Sequence, residues 1–154
     1  MSWEIVSCSP EDTQRLGERL GKLSQLGDVF LLVGELGAGK TCLTQGIAWG
    51  LDIQGYISSP SFVVVKEYLG RLPLYHIDLY RVDKIEEVME LGLEDYLYGR
   101  GVCVVEWAER GWSNLPSERL LIRLEYRSEK ERHLAFEPVG GRYLELVSNL
   151  CNWQ

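Results

Sequence analysis

Residues 34–41 read Gly-Glu-Leu-Gly-Ala-Gly-Lys-Thr and satisfy G-x-x-x-x-G-K-[ST] at every fixed position. The pattern has a mechanical meaning only between a buried strand and the start of a helix. Both flanks comply: Asp28 to Val33 is an apolar run too short for a helix, and Thr41 to Leu51 has helical character. Gly34, Gly37 and Gly39 permit torsions and close approaches that a Cβ would block. Successive backbone N–H groups can then turn toward phosphate oxygens, and the helix beginning near Lys40 adds its positive dipole end. With glycine near 7% of residues, a chance match in a chain of this length has a probability of roughly half a per cent. The motif therefore predicts a phosphate-binding loop, with Lys40 neutralising the β- and γ-phosphates and the Thr41 hydroxyl placed for Mg²⁺.

Such a loop needs carboxylates to use the metal. Two end apolar runs: Asp78 in Leu74-Tyr-His-Ile-Asp and Glu106 in Val102-Cys-Val-Val-Glu. Ligands in open α/β sheets bind beyond the carboxyl ends of the strands. If both strands run parallel to 28–33, both carboxylates converge on the phosphates, one to ligate Mg²⁺ and the other to orient or deprotonate water. Which does which stays open. His76 shares a strand face with Asp78 by period-2 alternation, where a structural role outweighs a catalytic one. Trp107 follows Glu106 and points to the opposite face unless the strand has already ended. Asp52-Ile53-Gln54-Gly55 fits D-x-x-G, but no apolar strand leads into it. No N-K-x-D stretch is present, which favours ATP over GTP. The Ser58-Ser59-Pro60-Ser61-Phe62 segment stands where a switch could bring a hydroxyl to the γ-phosphate.

The rest of the chain fills in an α/β domain. Trp3 to Cys8 reads as a strand. Ser9 is an N-cap with Pro10 at the first helical position, and Leu16, Leu20 and Leu23 share one face of a helix ended by Gly27. Phe62 to Leu69 and Leu72 to Leu79 read as strands joined at Gly70-Arg71. Lys84 to Leu97 is helical with a break at Gly92, and Gly101 to Trp107 is a buried strand. Arg119 to Tyr126 and Arg132 to Pro138 form a hairpin, and Arg142 to Leu150 closes as a helix. The expected fold is a P-loop NTPase-like three-layer α/β domain with a mixed, partly parallel central sheet, spanning residues 1–154 as one unit.

Composition narrows the partners. The chain has 154 residues, 45% of them hydrophobic, and a formal net charge of −7. That charge opposes a direct grip on a nucleic-acid backbone. No window approaches the roughly 18 apolar residues of a membrane span. Cys8, Cys42, Cys103 and Cys151 include no C-x-x-C pair, which predicts four reduced thiols in a cytoplasmic protein, with Cys8 and Cys103 in apolar runs and buried.

The order of these segments resembles one family, the small bacterial ATPases of tRNA threonylcarbamoyladenosine biosynthesis known as TsaE (YjeE). The resemblance is carried by Gly34–Thr41, Ser59-Pro-Ser-Phe62, Tyr75-His-Ile-Asp-Leu-Tyr-Arg81 and Val105-Glu-Trp107, and runs from the Thr13-x-x-Leu16-Gly17 helix to Arg132. It implies Mg²⁺-dependent ATP hydrolysis in support of partner subunits that transfer a threonylcarbamoyl group to adenosine 37 of tRNAs, with tRNA met only indirectly. By the same resemblance Leu36, Gly37, Ala38, Gly39, Lys40 and Thr41 hold phosphates, and Thr41 and Glu106 ligate Mg²⁺. Asp78 is a catalytic or magnesium-supporting carboxylate, and Thr13 and Arg132 lie near the nucleotide. The family's Ser-Pro-Thr switch reads Ser-Pro-Ser here, so the Ser61 hydroxyl survives with weakened function expected. A P-loop kinase of a small metabolite and a nucleotide-gated assembly module are the alternatives.

Overall fold

A computed structural model of the chain describes residues 2–58, 60, 64–90 and 92–151. Its seven strands are β1 (Trp3–Ser7), β2 (Val29–Val33), β3 (Val65–Leu69), β4 (Pro73–Asp78), β5 (Val102–Glu106), β6 (Arg119–Tyr126) and β7 (Arg132–Val139). They form one mixed sheet in the order β1-β7-β6-β2-β5-β4-β3. β2 lies between β5 and β6, parallel to both, and β4 is parallel to β5. The outer pairs β6–β7, β7–β1 and β4–β3 are antiparallel.

The helices α1 (Pro10–Leu23), α2 (Lys40–Gly50), α3 (Ile85–Glu90), α4 (Leu93–Leu97) and α5 (Gly141–Cys151) sort onto two faces. Phe30, Leu32, Val104 and Ile122 meet Leu16, Leu20, Leu43, Ile47 and Leu146 on the side of α1, α2 and α5. Leu31, Val33, Cys103, Val105 and Leu121 meet Val88, Leu93 and Leu97 on the other. All of β2 and β5 is buried, as strands covered on both faces must be.

α1 and α2 pack through glycines. A Cβ at Gly46 would stand 2.1 Å from the Gln14 carbonyl oxygen, one at Gly50 2.2 Å from that of Glu18, and one at Gly21 2.3 Å from that of Ile47. Interior glycine costs a helix about 1 kcal/mol relative to alanine, and here that cost is offset by backbone-to-backbone contact. The close fit holds the helix that opens at Lys40 against α1. At the other end of the sheet, the Arg142 guanidinium pairs with the buried Asp28 carboxylate at 2.7 Å, and the Val29 amide donates to the Tyr143 hydroxyl at 2.9 Å. These bonds fix α5 to the start of β2.

Most elements fall where the sequence places them, including the Ser9 N-cap, whose hydroxyl accepts from the Asp12 amide, and the break at Gly92. Four points differ. α1 ends at Leu23 rather than at Gly27, because Ser24 donates from both its amide and its hydroxyl to the last-turn carbonyls of Gly21 and Leu20. Cys8 is exposed, since it lies beyond β1 and its amide turns to the Asp12 carboxylate. A 3₁₀ segment, Ala108–Asn114, stands where no element was expected. β3 begins at Val65; the expected start at Phe62 lies outside the described residues. Among the described residues no helix is long and apolar enough to cross a membrane.

The glycine contact makes a direct prediction. Gly46→Ala should destabilise the domain by about 1–3 kcal/mol, the usual cost of overpacking, despite alanine's better helix propensity. Gly141→Ala, where an added Cβ meets nothing within 4 Å, should be neutral. Urea unfolding of the two variants measures both.

Candidate functional site

The parallel run of β2, β4 and β5 brings three strand ends to one edge of the sheet, and the chemistry gathers there. The chain leaves β2 through Gly34, where a Cβ would stand 2.4 Å from the Leu124 carbonyl oxygen. Gly37 and Gly39 take left-handed conformations, with φ of +81° and +103°. The loop therefore folds back onto the N-terminus of α2, with Ala38 buried and Leu36 exposed.

Lys40 is buried at the first position of α2. Its Nζ donates to the carbonyls of Gly34 and Glu35 and lies 4.0 Å from the centre of the Trp107 ring. Burial pushes the ammonium below its ordinary range, against the opposing pull of Glu106, Glu109, Asp78 and Glu35. Trp107 reaches this position because β5 stops at Glu106 and the backbone turns left-handed at the next residue, φ +58°.

Glu106, 2% exposed, lies under the loop. Thr41 Oγ1 stands 3.1 Å from its Oε1, while Thr44 Oγ1, at 3.3 Å, and His76 Nε2, at 2.5 Å, meet its Oε2. Asp78 pairs in register with Glu106 across β4 and β5. Its Oδ1 accepts the Tyr80 amide at 2.9 Å. Burial raises its proton affinity above the ordinary carboxylate range, the Tyr80 bond opposes this, and the Glu106 charge adds to it. Lys40, Thr41, Asp78, Glu106, Trp107 and Gly37 line one cleft of about 680 Å³, within the usual size of small-molecule sites.

The profile of the family described as Threonylcarbamoyl adenosine biosynthesis protein TsaE matches residues 7–134. The chain belongs to the TsaE family. A Bacillus subtilis protein described as tRNA threonylcarbamoyladenosine biosynthesis protein TsaE is 43% identical over 151 residues, covering 97% of this chain and 93% of its own length. A Treponema pallidum protein of the same description is 44% identical over 129 residues, covering 84% and 96%. The crystal structure of Bacillus subtilis YdiB superposes with a TM-score of 0.86 at 39% identity, over 98% of this chain and 95% of that one. The fold is the P-loop NTPase-like α/β fold that the sequence predicts.

Of the sequence-predicted residues, some line the cleft and some do not; Ala38 is buried and is not part of its lining. Residues 36, 37, 39, 40 and 41, Asp78 and Glu106 line the cleft together. Thr13 and Arg132 lie outside it. The buried Thr13 hydroxyl is 2.6 Å from Ser7 Oγ, joining β1 to α1. Arg132 donates from Nε to the Gly37 carbonyl at 3.2 Å and stacks 4.5 Å from the Tyr126 ring. Ser61 lies outside the described residues. The Asp52–Gly55 stretch is a turn after α2, where the Gly55 carbonyl accepts the Trp49 indole N–H. Sequence reasoning missed the union of His76, Thr44 and Glu106. Alternation placed His76 on the face of Asp78, but only the pairing of β4 with β5 supplies its partner.

The raised proton affinity of Asp78 has a consequence for stability. Without metal or nucleotide, the folded state binds this proton more tightly than the unfolded chain, whose carboxylate titrates near about 3.9. Stability is then lost as pH rises through the interval above that value. Asp78→Asn abolishes this loss. In EDTA, the melting temperature of the variant minus that of the wild type should grow from about pH 4 toward neutrality. Thermal melts across that range test it, and a constant difference would reject it.

Proposed function

We propose that this chain is a Mg²⁺-dependent ATP hydrolase that supports the building of threonylcarbamoyladenosine in tRNA, the transfer itself belonging to partner subunits. The observation that carries the reading is the Thr41 hydroxyl held 3.1 Å from the Glu106 carboxylate beneath a glycine cradle. Relatives described as tRNA threonylcarbamoyladenosine biosynthesis proteins supply the process.

The donor set fits the implied ligands. A Cβ at Gly34 would collide with backbone, and Gly37 and Gly39 adopt torsions that L side chains avoid, so the loop is shaped for close approach of phosphate oxygens. Among the described residues no group of three or more His, Cys, Asp or Glu could hold a metal. Mg²⁺ held jointly with phosphates needs only one or two protein carboxylates. Thr41 and Glu106 would hold it, and when bound it offsets charge on the phosphate oxygens and aligns them for attack.

The chain's own groups then divide the work. Backbone amides of residues 36–41 bind the phosphates, and Lys40 neutralises them once it leaves its carbonyl partners. Asp78, whose Oδ1 is taken by Tyr80, offers Oδ2 to orient the attacking water. Arg132 stands against the phosphate loop at Gly37, and Thr13 would flank the nucleotide by releasing Ser7. The missing N-K-x-D stretch favours ATP. The net charge of −7 favours a protein partner over direct contact with tRNA, and Tyr98 and Trp112 are exposed to such a partner.

Two measurements test the reading. Lys40→Ala should abolish phosphate release while the fold persists. Glu106→Gln should remove most of the Mg²⁺ dependence of nucleotide binding, since it deletes the charge that holds the cation. Turnover by either variant at the wild-type rate would end the proposal.

The isolated chain should also hydrolyse ATP slowly and be stimulated by the threonylcarbamoyl-transfer subunits. A tenfold rise requires only about 1.4 kcal/mol of barrier, within reach of one added charge or one ordered loop. Steady-state phosphate release, with and without those subunits and tRNA, measures it. Fast turnover that partners leave unchanged would favour a free-standing phosphotransferase.

A further inference from the structure

We infer that His76 is a positioning residue, setting the orientation of the Glu106 carboxylate and through it the affinity of the site for Mg²⁺. This rests on the reading of Glu106 as the metal-holding carboxylate. His76 is 0% exposed. Its register partner on β5 is Val104, two residues before Glu106, so the imidazole reaches diagonally along the sheet, a span open to long and aromatic side chains. Its Nε2 lies 2.5 Å from Glu106 Oε2, and Nδ1 has no hydrogen-bond partner among the described residues. All the polar engagement of the ring recorded among those residues is therefore with Glu106. A side chain present only to fill the core would do so at lower cost if apolar, because a buried nitrogen without a partner is destabilising.

The effect on Glu106 is specific. Its backbone is already fixed, since its carbonyl accepts the Leu79 amide at 3.1 Å. What remains free is the rotation of the side chain. His76 holds Oε2 on the core side, and Oε1 is left as the oxygen nearest Thr41, at 3.1 Å against 3.5 Å for Oε2; the Thr44 hydroxyl, 3.3 Å from Oε2, donates to the Lys40 carbonyl at 2.8 Å. Outer partners of metal-holding groups act in this way, fixing the orientation of the ligand.

The test separates the hydrogen bond from packing by using the position of the donor. In His76→Gln the amide nitrogen stands as many bonds from Cα as Nε2 does, so the bond to Glu106 is kept. In His76→Asn it stands where Nδ1 does, and in His76→Leu there is no donor. For each purified full chain, displacement of a fluorescent ADP analogue by ADP is followed as Mg²⁺ is titrated, and again in EDTA. His76→Leu and His76→Asn should weaken the apparent Mg²⁺ affinity by about 10-fold or more, the usual cost of losing an outer partner. His76→Gln should stay close to wild type, and ADP binding in EDTA should be the same in all four proteins. Wild-type Mg²⁺ affinity in His76→Leu, or a Gln variant no better than the Asn variant, overturns the inference. If the Leu variant does not fold, the Gln and Asn pair decides. If wild type itself shows no Mg²⁺ effect, the reading of Glu106 as a metal-holding group fails first, and this inference falls with it.

Discussion

Taking a carboxylate out of water costs several kcal/mol unless hydrogen-bond donors replace the solvent. Glu106 is buried at the end of the central parallel strand pair, so the structure must supply those donors. It draws them from two places: Thr41 on the first turn of α2, and His76 on β4. One buried acceptor thus fixes the distance between a helix and two strands. The arrangement is also one-sided. His76 meets Oε2 from the core, while the Thr41 hydroxyl at the cleft is nearer Oε1, at 3.1 Å against 3.5 Å to Oε2.

That geometry holds only if α2 cannot shift, and the glycine contact with α1 provides this. Side chains between two helices can change rotamer, but backbone carbonyls 2.1–2.4 Å from the position of an added Cβ leave no such freedom. α1 is itself anchored at its start by Ser9 and by the Ser7–Thr13 hydroxyl pair. Order therefore passes from the β1–α1 junction through α1 to α2, and from α2 to Lys40, Thr41 and Thr44. Thr13, which lines no part of the cleft, joins β1 to α1.

The sequence made the layers legible because their signals are local. The buried run 29–33, the Ser9-Pro10 cap and the Gly92 break each follow from residues within a few positions of one another. The strand-end carboxylates were legible for a different reason: parallel strands share a carboxyl edge, so Asp78 and Glu106 converge once parallel pairing is assumed, and the register of β4 with β5 supplies that pairing. What stayed hidden depends on which strand neighbours which. The His76–Glu106 bond spans 30 residues. The exposure of Cys8 turns on an Asp12 side chain drawing its amide away from the sheet. The place of Trp107 depends on one left-handed residue that ends β5 a position earlier than its apolar pattern suggests.

Trp107 also accounts for how a buried ammonium tolerates its setting. Lys40 loses solvent on entering the loop, and burial alone would favour its neutral form. Two carbonyls and the face of an indole take the place of water, and a desolvated cation–π contact contributes about 2 kcal/mol. Four carboxylates, Glu106, Glu109, Asp78 and Glu35, pull in the same direction. The lysine Nζ is thus held beside the cleft, bonded to the first two residues of the loop. An anion entering the glycine cradle competes with those two carbonyls for the same Nζ. Under the proposed function, transfer of Lys40 to phosphate would release Gly34 and Glu35 and so would couple occupancy of the site to the backbone of the loop at the end of β2.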